Sequence, residues 1–219
     1  MHMDIRLVVL LGLLLPATAL QAQSEEPEPE EKMRQSVYAE GGETLYCREK
    51  FGPGEEASFN RVYREDQIVE RMDCGNRLQC RSNESYQEAM SDLHNLYPVA
   101  RQVLLDRRGT QFGELGDDVK VASENCPYQL SFQTFDPPEH ARGNVARVMF
   151  YMHTTHDLPL IGSLKMYKRW NEEDPPDEAE KTRNDAIEAI TGQRNPYIDD
   201  PSKADELESP SYNRLRFGG

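Results

Sequence analysis

The sequence predicts a single α+β domain that is mostly helical. The chain has 219 residues, a length that suits one domain with a substantial core. In its second half, apolar residues recur every three or four positions, which is the spacing of one helix face. An apolar and aromatic run before a Pro-Pro pair is typical of a strand. The predicted helices carry Val145, Val148, Met149 and Met152, then Leu160, Leu164, Tyr167 and Trp170, and a third runs from Asp177 to Gly192; the strand is 128–132.

Residues 1–23 are predicted to form a signal peptide. Arg6 ends a short polar opening, and the apolar run at 7–15 is too short to span a bilayer. Small residues that suit cleavage follow at Ala17-Thr18-Ala19 and at Gln21-Ala22. The alternative is an uncleaved membrane anchor. We therefore expect a secreted or periplasmic protein with no transmembrane span after signal cleavage.

Charge and composition divide the rest of the chain. Residues 24–43 hold a Pro/Glu run and are predicted to be an acidic disordered leader, because such a run cannot bury apolar surface. The domain is predicted at 44–201, followed by a loose C-terminal tail at 202–219. The net charge of −14 opposes tight binding of a polyanion. A local basic cleft can nevertheless coexist with an acidic exterior.

The stretch from Met90 to Pro98 is predicted to end an amphipathic helix. Tyr86, Met90, Leu93 and Tyr97 lie three to four residues apart and would form one apolar stripe. Asn95 would then point away from that stripe. Its amide is a candidate ligand for a metal or a phosphate, and the alternative is an exposed helix residue near the Pro98 stop.

Four ordered segments resemble the bacterial endonuclease I family of secreted or periplasmic non-specific nucleases. They are 92–98, which reads DLHNLYP, and the blocks at 142–152, 168–175 and 183–199. The resemblance covers about 44–201 and implies a ββα-metal (His-Me finger) fold. In that family a short β-hairpin supplies a Glu-His pair and the following helix supplies an Asn. The resemblance implies Mg²⁺ or another divalent cation as cofactor, and DNA, possibly RNA, as the partner of a monomer.

The family's Glu-His pair is missing from this chain. One alignment register puts it at Asn60-Arg61 and another at Glu65-Asp66, and neither contains a histidine. A guanidinium cannot accept a proton at neutral pH, so Arg61 would be an inert replacement for the base. Asp66 could act as a weak base. The candidate metal ligands are Asn95 with Glu65 or Asn60.

The histidines of the chain lie elsewhere, at His2, His94, His140, His153 and His156. We expect His94 to be a packing residue or to act through its neighbours. The candidate phosphate contacts are Arg107, Arg108 and Arg194. Relatives carry an Asn where this chain has Leu104, and Gln111 is a second departure.

The four cysteines of an exported chain favour two disulfides. The sequence alone allows three pairings, and a zinc site is the competing interpretation, although the spacing does not give two CxxC pairs. The resemblance favours Cys74 with Cys80 and Cys47 with Cys126.

Two functions compete at this point. The first is a divalent-metal-dependent endonuclease that hydrolyses DNA or RNA phosphodiester bonds. The second is a catalytically inactive member of the same fold that acts as a binding or interaction protein of the cell envelope. The missing base separates them, because hydrolysis requires Asp66 or another proton acceptor in its place.

Overall fold

A computed structural model describes residues 27–208, and the predicted signal peptide lies outside them. The prediction of a mostly helical α+β fold is confirmed. Within this range the α-helices are Pro29–Lys32 (α1), Glu65–Arg71 (α2), Arg77–Cys80 (α3), Glu84–Ser91 (α4), Arg101–Asp106 (α5), Glu139–Thr155 (α6), Leu164–Glu173 (α7), Glu178–Thr191 (α8) and Pro196–Asp199 (α9). A π-helical turn covers Met33–Val37, and 3₁₀ turns cover Leu93–Asn95 and Pro201–Glu206.

The strands form small separate sheets. They are Gly42–Glu43 (β1), Lys50–Phe51 (β2), Ser58–Arg61 (β3), Leu96–Val99 (β4), Gln111–Phe112 (β5), Val121–Ser123 (β6), Cys126–Ser131 (β7) and Thr134–Asp136 (β8). Strands β1 and β2 pair with each other, as do β3 and β4, and the third sheet has the order β5-β8-β7-β6. Strands β5 and β8 run parallel, and the other pairs are antiparallel.

Helix α6 lies at the centre of the core. Its residues from Val145 to Met152 are all buried, so it is surrounded by protein on every side. It packs against α7 through Phe150 and Tyr167, whose ring centroids are 6.3 Å apart. At Gly143 the backbone of Asp174 comes so close that a Cβ atom would lie 1.8 Å from its carbonyl oxygen. A glycine at this position is therefore required by the close approach of the two helices.

The candidate site rests on β3, β4 and α5, in that order along the chain. Asn60 lies opposite Tyr97, and Arg61 lies opposite Leu96. Strands β3 and β4 pair although α2, α3 and α4 lie between them along the chain. Helix α5 follows β4 directly and brings Leu104 to the same region.

The predicted end of a helix at Met90–Pro98 is wrong for the residues after Ser91. Helix α4 ends at Ser91, and the side chain of Asp92 then accepts a hydrogen bond from the His94 N–H and starts a 3₁₀ turn. The residues after that turn continue as strand β4. Periodicity alone does not distinguish a short buried strand from part of a buried helix. Here the pairing with β3 makes the segment a strand.

The structure differs from the predicted leader and tail where it describes them. Residues 29–37 are helical, and Met33 is completely buried against Phe59, Leu93 and Ile187. Met33, with Val37 and Tyr38 packed on the same cluster, gives the segment an apolar contact with the domain. In the tail, the 3₁₀ turn buries Ala204, while residues 209–219 lie outside the described range.

The predicted disulfides are confirmed. Cys74 pairs with Cys80 across a short loop, and Cys47 pairs with Cys126 across most of the first half of the domain. The competing zinc site is thereby excluded for these four sulfurs. Among the residues that the structure describes, no helix has the length and apolar character needed to cross a membrane.

Candidate nucleic-acid interface

A cleft of about 1170 Å³ opens beside β3, the first turn of α2 and α5. We call it the arginine cleft, because cationic side chains outnumber acidic ones along its walls. The cations are Arg34, Lys50, Arg61, Arg64, Arg77, Arg101, Arg107 and Arg108, and the carboxylates are Glu30, Glu49, Glu55, Glu56, Glu65 and Asp66. The whole chain has a net charge of −14, so the excess of positive charge is local to this cleft. It favours the binding of anions there.

Arg61 ends strand β3 and lies within the cleft. Its Nε and Nη2 donate to the Met90 carbonyl at 3.2 and 2.9 Å, which fixes the guanidinium at the end of α4. The Oε1 atom of Glu30, from the helical leader, lies 3.9 Å from Nη1 of Arg61. Burial lowers the pKa of Arg61, and the charges of Glu30 and Glu65 oppose that effect. Arg61 is therefore a fixed cation whose outer face points toward a carboxylate.

Arg107 lies behind Asn60 and is almost fully buried, at 1% exposure. Its Nη1 donates to the Asn60 side-chain oxygen and to the Tyr46 hydroxyl, both at 3.1 Å. Its guanidinium also stacks on Phe112, 4.1 Å from the ring centroid. Among residues 27–208 no carboxylate forms an ion pair with it. The predicted direct phosphate contact is thus not available to Arg107, which orients Asn60 and contributes positive charge from below the cleft.

Glu65 and Asp66 also line the cleft, in the first turn of α2. Glu65 accepts the Tyr86 hydroxyl hydrogen at 2.8 Å and pairs with Arg77 at 2.5 Å. Asp66 accepts two hydrogen bonds from Arg64, at 2.9 and 2.8 Å. Burial raises the pKa of Asp66, but the hydrogen bonds from Arg64 outweigh it and hold this pKa below its ordinary value. Both carboxylates already have cationic partners.

Asn95 lies apart from these residues and does not line the cleft. It is fully buried, accepts the Tyr63 N–H at 2.7 Å and donates to the Tyr63 carbonyl at 2.8 Å. Its amide thus satisfies the backbone where the chain leaves β3. The structure brings Asn60, Arg61, Glu65 and Asp66 to one cleft and leaves the predicted ligand Asn95 outside it.

The donor set does not fit a divalent cation. Magnesium takes oxygen ligands, usually one or two carboxylates together with waters, whereas here Arg77 pairs with Glu65 and Arg107 donates to the Asn60 oxygen. Within residues 27–208 no group of three or more His, Cys, Asp or Glu side chains is arranged to hold a metal. The magnesium site that the family implies is not assembled from the predicted residues.

The two other predicted phosphate contacts differ in their surroundings. Arg108 is exposed and lines the cleft. Arg194 lies outside it and is bound by Asp185, Glu188 and Asp199, at 2.6 to 2.8 Å. Three carboxylates neutralise that guanidinium, so it offers little to a phosphate.

Several charged residues of the cleft were not identified from the sequence, and Arg64, Arg34 and Glu30 are examples. Arg64 is at the N-cap position of α2, where its backbone N–H donates to the Gln67 side chain at 3.1 Å, and its Nη1 is buried without a hydrogen-bond partner in the described part of the chain. Its position shortly after Asn60 and Arg61 is the sequence feature that could have identified it as a cleft residue. Arg34 and Glu30 come from the predicted leader, and nothing in that acidic run indicates that it folds back onto the domain.

Comparison with known proteins finds similarity to one family of nucleases. The family model described as Endonuclease I matches residues 18–202. "Endonuclease-1" of Buchnera aphidicola (subsp. Acyrthosiphon pisum, strain APS) is 32% identical over 127 residues, which are 57% of this chain and 50% of that protein. "Extracellular ribonuclease" of Bacillus amyloliquefaciens is 31% identical over 136 residues, 53% of this chain and 46% of that protein. The chain spans about half the length of these two relatives.

A third relative matches over most of both chains. "Periplasmic deoxyribonuclease" of Aeromonas hydrophila is 28% identical over 222 residues, 86% of this chain and 92% of that protein. The family match spans the folded region that the structure describes nearly to its end. On this evidence the chain belongs to the endonuclease I family.

Proposed function

We propose that this protein is a secreted or periplasmic member of the endonuclease I family that binds nucleic-acid phosphates in the arginine cleft without hydrolysing them. The observation that carries the proposal is Arg61, a fixed cation at the end of β3 where one register of the family motif puts its histidine base. Relatives named as extracellular and periplasmic nucleases support the location and the nucleic-acid partner. We expect the protein to act as a monomer.

Phosphate binding follows from the charges of the cleft. Guanidinium groups bind phosphate oxygens through pairs of hydrogen bonds. Arg101 and Arg108 are exposed on its rim, and Arg61 lies deeper with its Nη1 directed toward Glu30. The guanidinium groups of Arg64 and Arg107 add positive charge behind this wall, although Asp66 pairs with Arg64. An entering phosphate would meet the exposed Arg101 and Arg108 first.

The absence of hydrolysis follows from the missing proton acceptor. A general base must be within hydrogen-bond reach of the attacking water and unprotonated at working pH. Arg61 is protonated, and Asp66 is held by Arg64 with a pKa below its ordinary value, which makes it a poor acceptor. The remaining carboxylate of this turn, Glu65, is occupied by Arg77 and Tyr86.

A second function has one observation in its favour. Glu65 and Asp66 share the arginine cleft with Asn60 and Arg61. If a bound phosphate drew Arg64 away, Asp66 would be released within the cleft and could take a proton from water. The protein would then be a weak nuclease with a substituted base, and any requirement for a divalent cation would be a property of that activity.

The first experiment measures binding. Fluorescence anisotropy of labelled single-stranded and duplex DNA is followed in a salt series with the oxidised protein, its Arg61→Ala and Arg108→Ala variants, and EDTA present. Each lost phosphate contact should reduce the slope of log K against log salt by about 0.7 to 0.9. The matched control is Arg81→Ala, an exposed arginine outside the cleft. Equal slopes for all three variants would refute binding in the cleft.

The second experiment measures plasmid nicking with Mg²⁺. We expect no cleavage by the parent protein, and some gain in Arg61→His if the first register is right. Cleavage by the parent that disappears in Asp66→Ala would overturn the inactive assignment in favour of the substituted base. The Asn95→Ala variant tests whether Asn95 is a structural residue or a metal ligand. Loss of a buried structural amide should lower the melting temperature, whereas loss of a ligand would leave it unchanged.

A further inference from the structure

The turn between β7 and β8 presents an unusual side chain. Phe132 is 94% exposed, and its φ angle of 43° lies in the left-handed region. Glycine, asparagine and aspartate adopt that region readily, whereas a bulky residue there is strained. No ring contact of Phe132 is found in the described part of the chain. The domain thus exposes an aromatic ring to solvent at a position whose backbone conformation disfavours a bulky residue. The ring makes no packing contribution to the described part of the fold.

The pairing of β5 with β8 brings this turn near Arg108 and Gly109 at the edge of the arginine cleft, whose lining does not include Phe132. The two strands run parallel with Gln111 opposite Thr134, and the Gln111 N–H donates to the Gln133 carbonyl at 2.7 Å. The chain enters β5 from Arg108 and Gly109, which line the cleft, and enters β8 from Phe132. Parallel neighbours are about 4.8 Å apart, so the turn lies within a few such spacings of the cleft rim.

The surroundings of Phe132 distinguish among possible partners. Its neighbours Ser131, Gln133 and Gln111 are exposed and polar, and Leu130 adds apolar area at 38% exposure. A protein or lipid surface requires a larger contiguous apolar patch. A single aromatic ring beside a cationic groove is instead the arrangement that binds single-stranded nucleic acid, with phosphates along the groove and a base stacked on the ring.

We infer that Phe132 is a base-stacking contact, and that the arginine cleft takes single-stranded nucleic acid in preference to duplex. The inference rests on the proposed function, because the cleft supplies the phosphate contacts. A base inside a duplex is already stacked on both faces, so the ring can act only on an unpaired base. Stacking tolerates every base, because each has a flat aromatic face. No sequence preference is expected from this contact.

The test compares two strands with the same backbone. Anisotropy is measured with an oligothymidine of about 16 nucleotides, the upper end of the site size for one small domain, and with an abasic strand of equal length. The variants are Phe132→Ala and Phe132→Trp, with Leu78→Ala as the control, since Leu78 is also exposed, at 72%, but lies in α3 away from the turn.

We expect the parent and Phe132→Trp to bind oligothymidine about tenfold more tightly than the abasic strand, the effect of one stacked base. Phe132→Ala should lose that difference while it still binds the abasic strand, and Leu78→Ala should keep it. Equal affinity of the parent for both strands would refute the inference and leave the phosphate cleft standing. Failure of the parent to bind either strand would refute the proposed function as well. Melting temperatures confirm that each variant is folded.

Discussion

The buried ion pair between Arg147 and Glu180 makes a quantitative prediction. Nε and Nη2 of Arg147 donate to the two carboxylate oxygens of Glu180 at 2.8 and 2.6 Å, and the side chains are 0% and 1% exposed. Glu180 lies in the first turn of α8, so the pair joins that helix to α6. Burial raises the pKa of Glu180, and the hydrogen bonds from Arg147 oppose this.

The perturbation is Glu180→Gln, which keeps the shape and removes the charge. Arg147 would then be a buried cation without a carboxylate, and breaking such a pair costs about 3 to 5 kcal/mol. For a domain of this size each 1 kcal/mol lowers the melting temperature by about 2 to 4 °C, so we expect a fall of about 6 to 20 °C. The control Glu178→Gln removes an 89% exposed carboxylate paired with Lys181 and should cost under about 1 kcal/mol.

Urea titration and thermal unfolding followed by circular dichroism would measure both changes. The double variant Arg147→Met with Glu180→Leu should recover much of the loss, because it removes both charges and keeps apolar volume. The reasoning would be refuted if Glu180→Gln unfolded at the same temperature as Glu178→Gln.

Three further predictions follow from other buried or constrained residues. Burial, with the nearby charge of Arg183, lowers the pKa of His94 from 6.5 to about 4. The contribution of neutral His94 to the free energy of unfolding is therefore fully present above the unfolded pKa, and this free energy should fall by about 2 kcal/mol between pH 7 and 5. Urea titration should find that this fall is absent in His94→Gln. Gly143→Ala should lower the free energy of unfolding by about 3 kcal/mol, since its Cβ would lie 1.8 Å from a backbone oxygen, and unchanged stability would contradict this close approach. Glu30→Gln should tighten DNA binding by up to about fivefold, because a carboxylate near Arg61 would no longer compete with phosphate, and weaker binding would show that Glu30 has a different role.

The helical half of the fold could be predicted because its signals are local. Apolar spacing indicated α6 and α7, and Asp177 caps α8 through the Glu180 N–H, with Gly192 in a left-handed conformation at its end. The resemblance supplied the disulfide pairing, which spacing alone left open. The strands near the site were harder, because Leu96–Val99 becomes a strand only through pairing with a segment far earlier in the chain.

The candidate site was only partly predictable for the same reason. Asn60, Arg61, Glu65 and Asp66 were found because the family resemblance places its Glu-His pair at one or the other of these two positions. The burial of Arg107 and the distance of Asn95 from the cleft depend on contacts with Tyr46 and Tyr63, which no local pattern reveals. A strained turn such as that at Phe132 carries no sequence signal, because a phenylalanine is expected to be buried.

The burial of Met33 also bears on the order in which the chain folds. Met33 lies near the start of the described range and packs in one cluster with Ile187, which lies near its end. The other members of that cluster precede Ile187 in the chain, so the cluster is complete only after residue 187 has been synthesised. A segment that is synthesised late thus completes the burial of one that is synthesised early. A shortened chain that ends before α8 would leave the segment around Met33 more open to proteases and to any factor that binds unfolded chains.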